Sequence, residues 1–291
     1  MRDHDSVHRP LSRRVLLAAS AALLSQNTER GIAATVEREQ IAAVERSDGL
    51  EPPLTLGIAK VVLQPGAMAR AAIPLGARMI AVESGVLAVA VASTVAEPLS
   101  AKEFSLLAPE SDLNDELFVP AGTTITFGSR GVTTVRNPGA RSVVALDVVV
   151  YREEPRPMAR AFTTEEGVSF QLLASAHATE APPGRVAVTL ERVRLGALAA
   201  LPADLSVGLT LARVDAGTIE VRPAAGEVFA ARAAASAPYS MPGSLEPISA
   251  GTAREVTAGG VVFLPMGSSS VIANPRQRPA DLMTLAVRET A

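Results

Sequence analysis

Met79-Ile80-Ala81-Val82-Glu83-Ser84-Gly85, followed at once by Val86-Leu87-Ala88-Val89, reads as a strand, a tight glycine turn and a second strand. Short runs of β-branched and apolar residues bounded by Gly, Pro, Asn and Asp are strand signals. The same arrangement recurs as Leu209 to Gly217 followed by Thr218-Ile219-Glu220-Val221. Further on, Leu117-Phe118-Val119-Pro120-Ala121-Gly122 is echoed by Val261-Val262-Phe263-Leu264-Pro265-Met266-Gly267, an offset of 145 residues (265 minus 120). Each copy then reaches an Asn-Pro turn, Asn137-Pro138-Gly139 and Asn274-Pro275, before a last apolar strand. A repeat of this length is a whole domain, not a solenoid unit. The chain is therefore expected to be all-β, a sandwich or barrel built twice. Helical patterning is nearly absent. Its one candidate is Val36 to Arg46, where charges flank Ile41-Ala42-Ala43-Val44, expected to be a linker or short helix.

The chain has 291 residues, of which 48% are apolar, enough for two sizeable cores. A net charge of -3, two Tyr and no Trp supply neither a basic footprint nor stacking platforms, which excludes nucleic acid as a partner. Cysteine is absent, so disulfides, thiolate nucleophiles and Cys-ligated metals are excluded too. The N-terminus carries Ser12-Arg13-Arg14 directly before an apolar run to Leu24, then Gly31-Ile32-Ala33-Ala34. An apolar run of about ten residues is too short to cross a bilayer. A basic region, a short apolar stretch and a small-residue exit make a signal peptide, and the paired arginines resemble a twin-arginine export signal. The expectation is a leader over residues 1–33 cleaved after Ala33, a periplasmic or extracellular protein, and membrane contact only through the leader before cleavage.

Gly66, Gly85, Gly259, Pro265, Gly267 and Asn274 keep the glycine, proline and asparagine spacing of the cupin metal-site signature. With the repeat, this resembles a bicupin. The resemblance implies two tandem jelly-roll β-barrels after the signal peptide. The boundaries drawn on it are a linker or short helix over 34–49, a first barrel over 50–155 and a second over 156–291. In metal cupins three His and one Glu converge on one ion. At those positions the first barrel carries Ala72, Pro74, Arg78 and Ile125, with Thr133 replacing Ile125 if the register is counted back from Asn137; the second carries Asp204, Ser206, Thr210 and Ser270. None of these sets suits a transition metal, and calcium wants six or more oxygens. No metal or other cofactor is expected.

Histidine is limited to His4, His8 and His177, and the first two leave with the leader. His177, shortly before Pro182-Pro183-Gly184, is expected in a solvated loop, with nothing in the spacing to place it beside a serine nucleophile. No catalytic residue is assigned. Arg78 faces a lumen otherwise lined by Ala72, Ile80, Val82, Ile125 and Phe127, so its guanidinium must reach the barrel mouth, pair with an internal carboxylate or grip the carboxylate of a ligand. In the second barrel Asp204, Ser206, Thr210, Ser270 and Asn274 converge as donors and acceptors, and a small polar molecule is expected there. The functional expectation is a non-catalytic binding or structural protein. The alternative is a divergent cupin enzyme of oxidase, decarboxylase or isomerase type; association into a homo-oligomer is left open by the sequence.

Overall fold

The run Gly76–Ser84 is a strand buried on both faces in the computed structural model, which describes residues 34–47, 49–73, 76–92, 116–127, 131–152, 162–164, 166–201, 208–233 and 244–290. Side chains alternate along a strand, so Ile80 and Val82 enter one core while Ala77, Met79 and Ala81 enter another. Numbered in chain order, β1 (Val36–Arg46) is followed by β2 (Leu54–Leu63), β3 (Met68–Ile73), β4 (Gly76–Ser84), β5 (Val86–Ala92), β6 (Leu117–Pro120), β7 (Thr124–Phe127), β8 (Gly131–Arg136) and β9 (Val143–Arg152). These pair in nested order, β2 with β9, β3 with β8, β4 with β7 and β5 with β6, all antiparallel. Nested antiparallel pairing of this kind makes a jelly roll.

After β10 (Phe162–Thr164) and β11 (Val168–Ala178) the order repeats. Strand β12 (Val186–Leu195) pairs with β21 (Ala280–Glu289), β13 (Ala200–Leu201) with β20 (Ser269–Ala273), β14 (Gly208–Ala216) with β19 (Val261–Leu264), and β15 (Thr218–Ala225) with β18 (Arg254–Thr257). Strands β16 (Val228–Ala231) and β17 (Glu246–Ile248) extend one edge. The protein is all-β, two tandem jelly-roll barrels, with no helix among the described residues. Among the described residues three cores follow from strand alternation. Val61, Leu87, Val135 and Phe127 fill the first barrel; Val214, Ile219, Leu264 and Leu282 fill the second. The largest cluster lies between the barrels, where Leu54, Leu56, Met79 and Val148 meet Leu190, Leu209, Leu211 and Leu285. Each such leucine contributes about 1.5–3 kcal/mol on burial, against about 0–1 kcal/mol for a surface ion pair, so apolar burial dominates the docking of the barrels.

The first strand of each repeat belongs to the other barrel. Strand β1 pairs with β12, from Val36 opposite Leu195 to Arg46 opposite Val186. Strand β11 pairs with β2, from Val168 opposite Leu63 to Ala178 opposite Leu54. The two pairings correspond at an offset of 132 residues (168 minus 36, 186 minus 54), and each has a bulge at the same place, Gln40/Ala42 and Leu172/Ala174. This corrects two expectations. Val36–Arg46 is a strand, not a linker or helix. The bulge interrupts the period-two pattern and leaves Ile41 to Val44 as a continuous apolar run, while Glu37 and Glu39 stand opposite Arg194 and Arg192, the opposite-charge pairing that sheets favour. The boundary between 155 and 156 likewise does not separate the barrels, because β10 and β11 lie beyond it and pair in the first.

The internal echo is also re-registered. Gly122 donates its N–H to Val82 O at 2.8 Å, and Gly259 donates to Val214 O at 2.7 Å. Both have positive φ, +78° and +83°. The structural counterpart of Gly122 is thus Gly259, an offset of 137 (259 minus 122), and the match of Pro120 to Pro265 at 145 is fortuitous.

Candidate functional site

The first lumen is crossed by a polar cluster. Arg78 on β4 lies on the same face as Ile80, which stands directly opposite Asp147 on β9. Arg78 Nε donates to Asp147 Oδ1 and Nη2 to Oδ2, both at 2.9 Å. Nη1 donates to Thr133 Oγ1 at 2.9 Å. Because β8 belongs to the opposite sheet, these contacts tie the two sheets together. The guanidinium carbon also sits 5.7 Å from the ring centroid of Phe127, within cation–π range. Arg78, Asp147 and Thr133 are 2%, 3% and 0% exposed. Beside them, lined by Val61, Leu63, Ile80, Leu87, Val135 and Phe170, is a cavity of about 20 Å³, roughly the room one water needs.

The ligand carboxylate that Arg78 could have awaited is therefore supplied by Asp147. Thr133 holds the fourth metal-ligand position of the resemblance, in the register counted back from Asn137; Ile125 instead lies part-buried against the first core. Ala72, on β3, pairs with Val132 of β8, and Pro74 lies outside the described residues. Asp147 was not foreseen. Its signal was a lone acid inside Val143-Val144-Ala145-Leu146-Asp147-Val148-Val149-Val150, a position that requires a buried cation.

In the second barrel, Thr210 on β14 stands where β4 has Arg78 (210 minus 78 is 132), and Ser270 on β20 stands where β8 has Thr133 (270 minus 133 is 137). Thr284 on β21 likewise replaces Asp147 (284 minus 147 is 137). Three hydroxyls thus occupy the places of an ion pair and its hydroxyl partner. Two of them make long contacts: Ser270 Oγ donates to Val271 O at 3.4 Å and Thr284 Oγ1 to Glu191 O at 3.5 Å. Thr210 and Ser270 are buried. Asp204 and Ser206 lie outside the described residues, as do Ser12, Arg13 and Arg14.

Asn274 is not a ligand group. Its Nδ2 lies 3.2, 2.9 and 2.8 Å from the carbonyls of Leu195, Gly196 and Arg278, and its Oδ1 accepts from Arg276 N at 2.9 Å. Asn137 does the same in the first barrel, donating to Leu63 O and Arg141 O and accepting from Gly139 N. An asparagine before proline uses its amide to close the turn, so both are structural staples. His177 is corrected as well: it lies on β11 opposite Thr55, with Nδ1 3.1 Å from Thr55 Oγ1, not in a loop.

The metal that the resemblance implies does not fit these residues. A guanidinium, hydroxyls, apolar side chains and the lone carboxylate of Asp204 supply no transition-metal donor set, and among the described residues no group of three or more His, Asp or Glu is placed to hold an ion.

No family model matches the chain, and no curated protein matches it either. Solved structures do. The coconut allergen cocosin shares 11% identity at a TM-score of 0.43, covering 91% of this chain and 84% of its own. A cupin 2 conserved barrel domain protein from Leptotrichia buccalis shares 11% at 0.36, covering 90% and 92%. The oxalate decarboxylase of Lactobacillus farciminis, in a formate complex, shares 13% at 0.40, covering 90% and 88%. At such values the likenesses carry no functional weight, and the fold stands on the strand order and register above.

Proposed function

We propose that the chain is an exported, metal-free protein of the cupin type with a non-catalytic role, its first barrel a closed scaffold and its second the place where a small polar ligand binds. The observation that carries this reading is the saturation of Arg78. At the position where the resemblance calls for a metal-binding carboxylate, a guanidinium is bonded to Asp147 and Thr133. A fully paired, desolvated charge offers no acid, base or Lewis-acid chemistry. The second barrel supports binding differently: Thr210, Ser270 and Thr284 are neutral hydroxyls on apolar walls, the last two with long internal contacts, and a few polar groups on apolar walls are what ligand sites present. Export is supported by Ser12-Arg13-Arg14 before a short apolar run.

The test is thermal shift across a library of small metabolites, on the wild type and on a Thr210→Val, Ser270→Ala double variant. A compound that raises the melting temperature of the wild type and not of the variant supports the reading. Compounds that stabilise both equally, or a shift abolished by Arg78→Met alone, would place binding elsewhere.

A further inference from the structure

A line of polar side chains runs from the surface into the second barrel. Val193 and Leu195 of β12, Leu282 of β21 and Ala212 of β14 fill that barrel. Side chains two apart share a face of a strand, so Glu191 and Thr189 of β12, Thr284 of β21 and Thr210 of β14 project from the same face of the sheet. Glu191 stands opposite Thr284, and Thr189 and Thr210 stand opposite Ala286 on its two sides. Arg38 of β1 joins them: Val36, two residues before it, packs against the same core, and Arg38 Nη1 lies 3.5 Å from Glu191 Oε2. That separation is beyond hydrogen-bond length, so both heads keep hydrogen-bonding capacity. Exposure rises along the line, from 3% at Thr210 through half-buried Thr284, Thr189 and Glu191 to exposed Arg38. The first barrel is apolar at three matching positions. Phe170 stands for Arg38, Ala59 for Glu191 and Gly57 for Thr189, each at the offset of 132 (170 minus 38, 191 minus 59, 189 minus 57). Ala59 is buried and Phe170 packs against the first core. The fold itself therefore does not call for polarity along this face.

We infer that Glu191 and Arg38 form the entrance of a track that takes a neutral polyhydroxyl compound, a sugar or sugar alcohol, toward Thr210. This rests on the reading of the second barrel as the one that binds a small polar ligand, and names the ligand class and two further residues. A carboxylate has two oxygens that accept from neighbouring hydroxyls, a guanidinium donates to hydroxyl oxygens, and threonine hydroxyls do both. Alternating acceptors and donors match a ligand whose every hydroxyl is itself donor and acceptor. The charges of Glu191 and Arg38 cancel, so an anion would meet Glu191 and a cation would meet Arg38. Neutral ligands escape both penalties.

The test is isothermal titration calorimetry of the full chain with myo-inositol, D-mannitol and D-glucose at millimolar concentration, and with acetate and glycine as an anion and a zwitterion. Wild type is compared with Glu191→Gln, Arg38→Gln, the Thr210→Val, Ser270→Ala double variant and Arg78→Met. At least one of the polyhydroxyl compounds is expected to bind the wild type, with no heat from acetate or glycine. Glu191→Gln and Arg38→Gln are each expected to weaken that binding about tenfold or more, the loss of one charge-assisted hydrogen bond. Both side chains reach the surface, where substitution moves stability little, so the change reads the contact and not the fold. Binding that is lost in the double variant yet unchanged in Glu191→Gln or in Arg38→Gln would overturn the inference and leave the second barrel as the binding one. Binding of acetate or glycine in preference, or of none of the polyhydroxyl compounds, would overturn the ligand class. Binding lost only in Arg78→Met would overturn both the inference and the reading beneath it.

Discussion

The Arg78 guanidinium and the Asp147 carboxylate face each other through two parallel contacts of 2.9 Å inside the first barrel, at 2% and 3% exposure. Paired geometry of this kind is the strong form of the interaction, and its energetics are asymmetric. Removing one partner of a buried pair costs about 3–5 kcal/mol, because the other charge is left without compensation, whereas apolar replacement of both is often neutral. Arg78→Met and Asp147→Leu are each expected to lose about 3–5 kcal/mol in denaturant unfolding. The double variant is expected to recover most of that loss. Additive losses would show that the two residues do not act as a pair.

Gly76 and Gly208 are counterparts that no other residue can replace in place. A Cβ at Gly76 would lie 2.0 Å from Val150 O, and one at Gly208 would lie 2.0 Å from Val287 O. Both contacts are with backbone of the neighbouring strand, which cannot rotate away. Alanine at either position is expected to displace β4 from β9 or β14 from β21 and to abolish cooperative unfolding. Gly122→Ala is the contrast: φ is +78° but nothing lies within 4 Å, so only the left-handed strain of about 1–2 kcal/mol applies. Circular dichroism and urea unfolding separate the two outcomes.

The two turn asparagines are expected to behave alike. Asn274→Ala removes the donor near three carbonyls and the acceptor for Arg276 N, and a group left unsatisfied in a buried site costs about 1–3 kcal/mol. Asn137→Ala is expected to fall in the same range. Thermal unfolding measures the loss, and an Asn274→Ala protein stabilised by the same library compounds as the wild type would agree with a structural role.

Legibility of the fold in the sequence divides along the range of the interactions. Strand and turn runs such as Met79 to Val89 are local, and their alternation and glycines are visible in a few residues. Membership of a barrel is not local. Val36–Arg46 finds its partner at Val186–Leu195, and the bulge at Gln40/Ala42 disguises the strand period on which recognition depends. The repeat offset changes from 132 before β6 to 137 after it, and matching the Pro-x-Gly motif at 145 misaligned Gly122 by eight residues (145 minus 137). At the candidate site, Arg78 was legible because a charge inside an apolar alternating run is anomalous. Asp147 carries the same anomaly, but nothing in the spacing says that β9 neighbours β4. Asn274 shares its buried position with Ser270, and only the hydrogen bonds distinguish a turn staple from a ligand group.

Export is tested separately from the fold. The proposed leader, residues 1–33, precedes Thr35 in the sequence, and the Thr35 carbonyl accepts from Gly196 N at 2.8 Å at the start of β1 pairing. Replacing Arg13 and Arg14 together with Lys is expected to stop export of a fusion reporter while the mature chain, made without its leader, unfolds as before. Undiminished export would mean that the ordinary secretory route is used.

The measurement that tests the central claim most directly is the metal content of the purified mature protein, by elemental mass spectrometry after folding in iron, manganese, nickel, copper and zinc. With Arg78 and Thr133 at two ligand positions of the first barrel and Thr210 and Ser270 at the corresponding positions of the second, the predicted result is no stoichiometric metal. A tightly bound ion in either barrel, retained through a chelating column, would contradict the account.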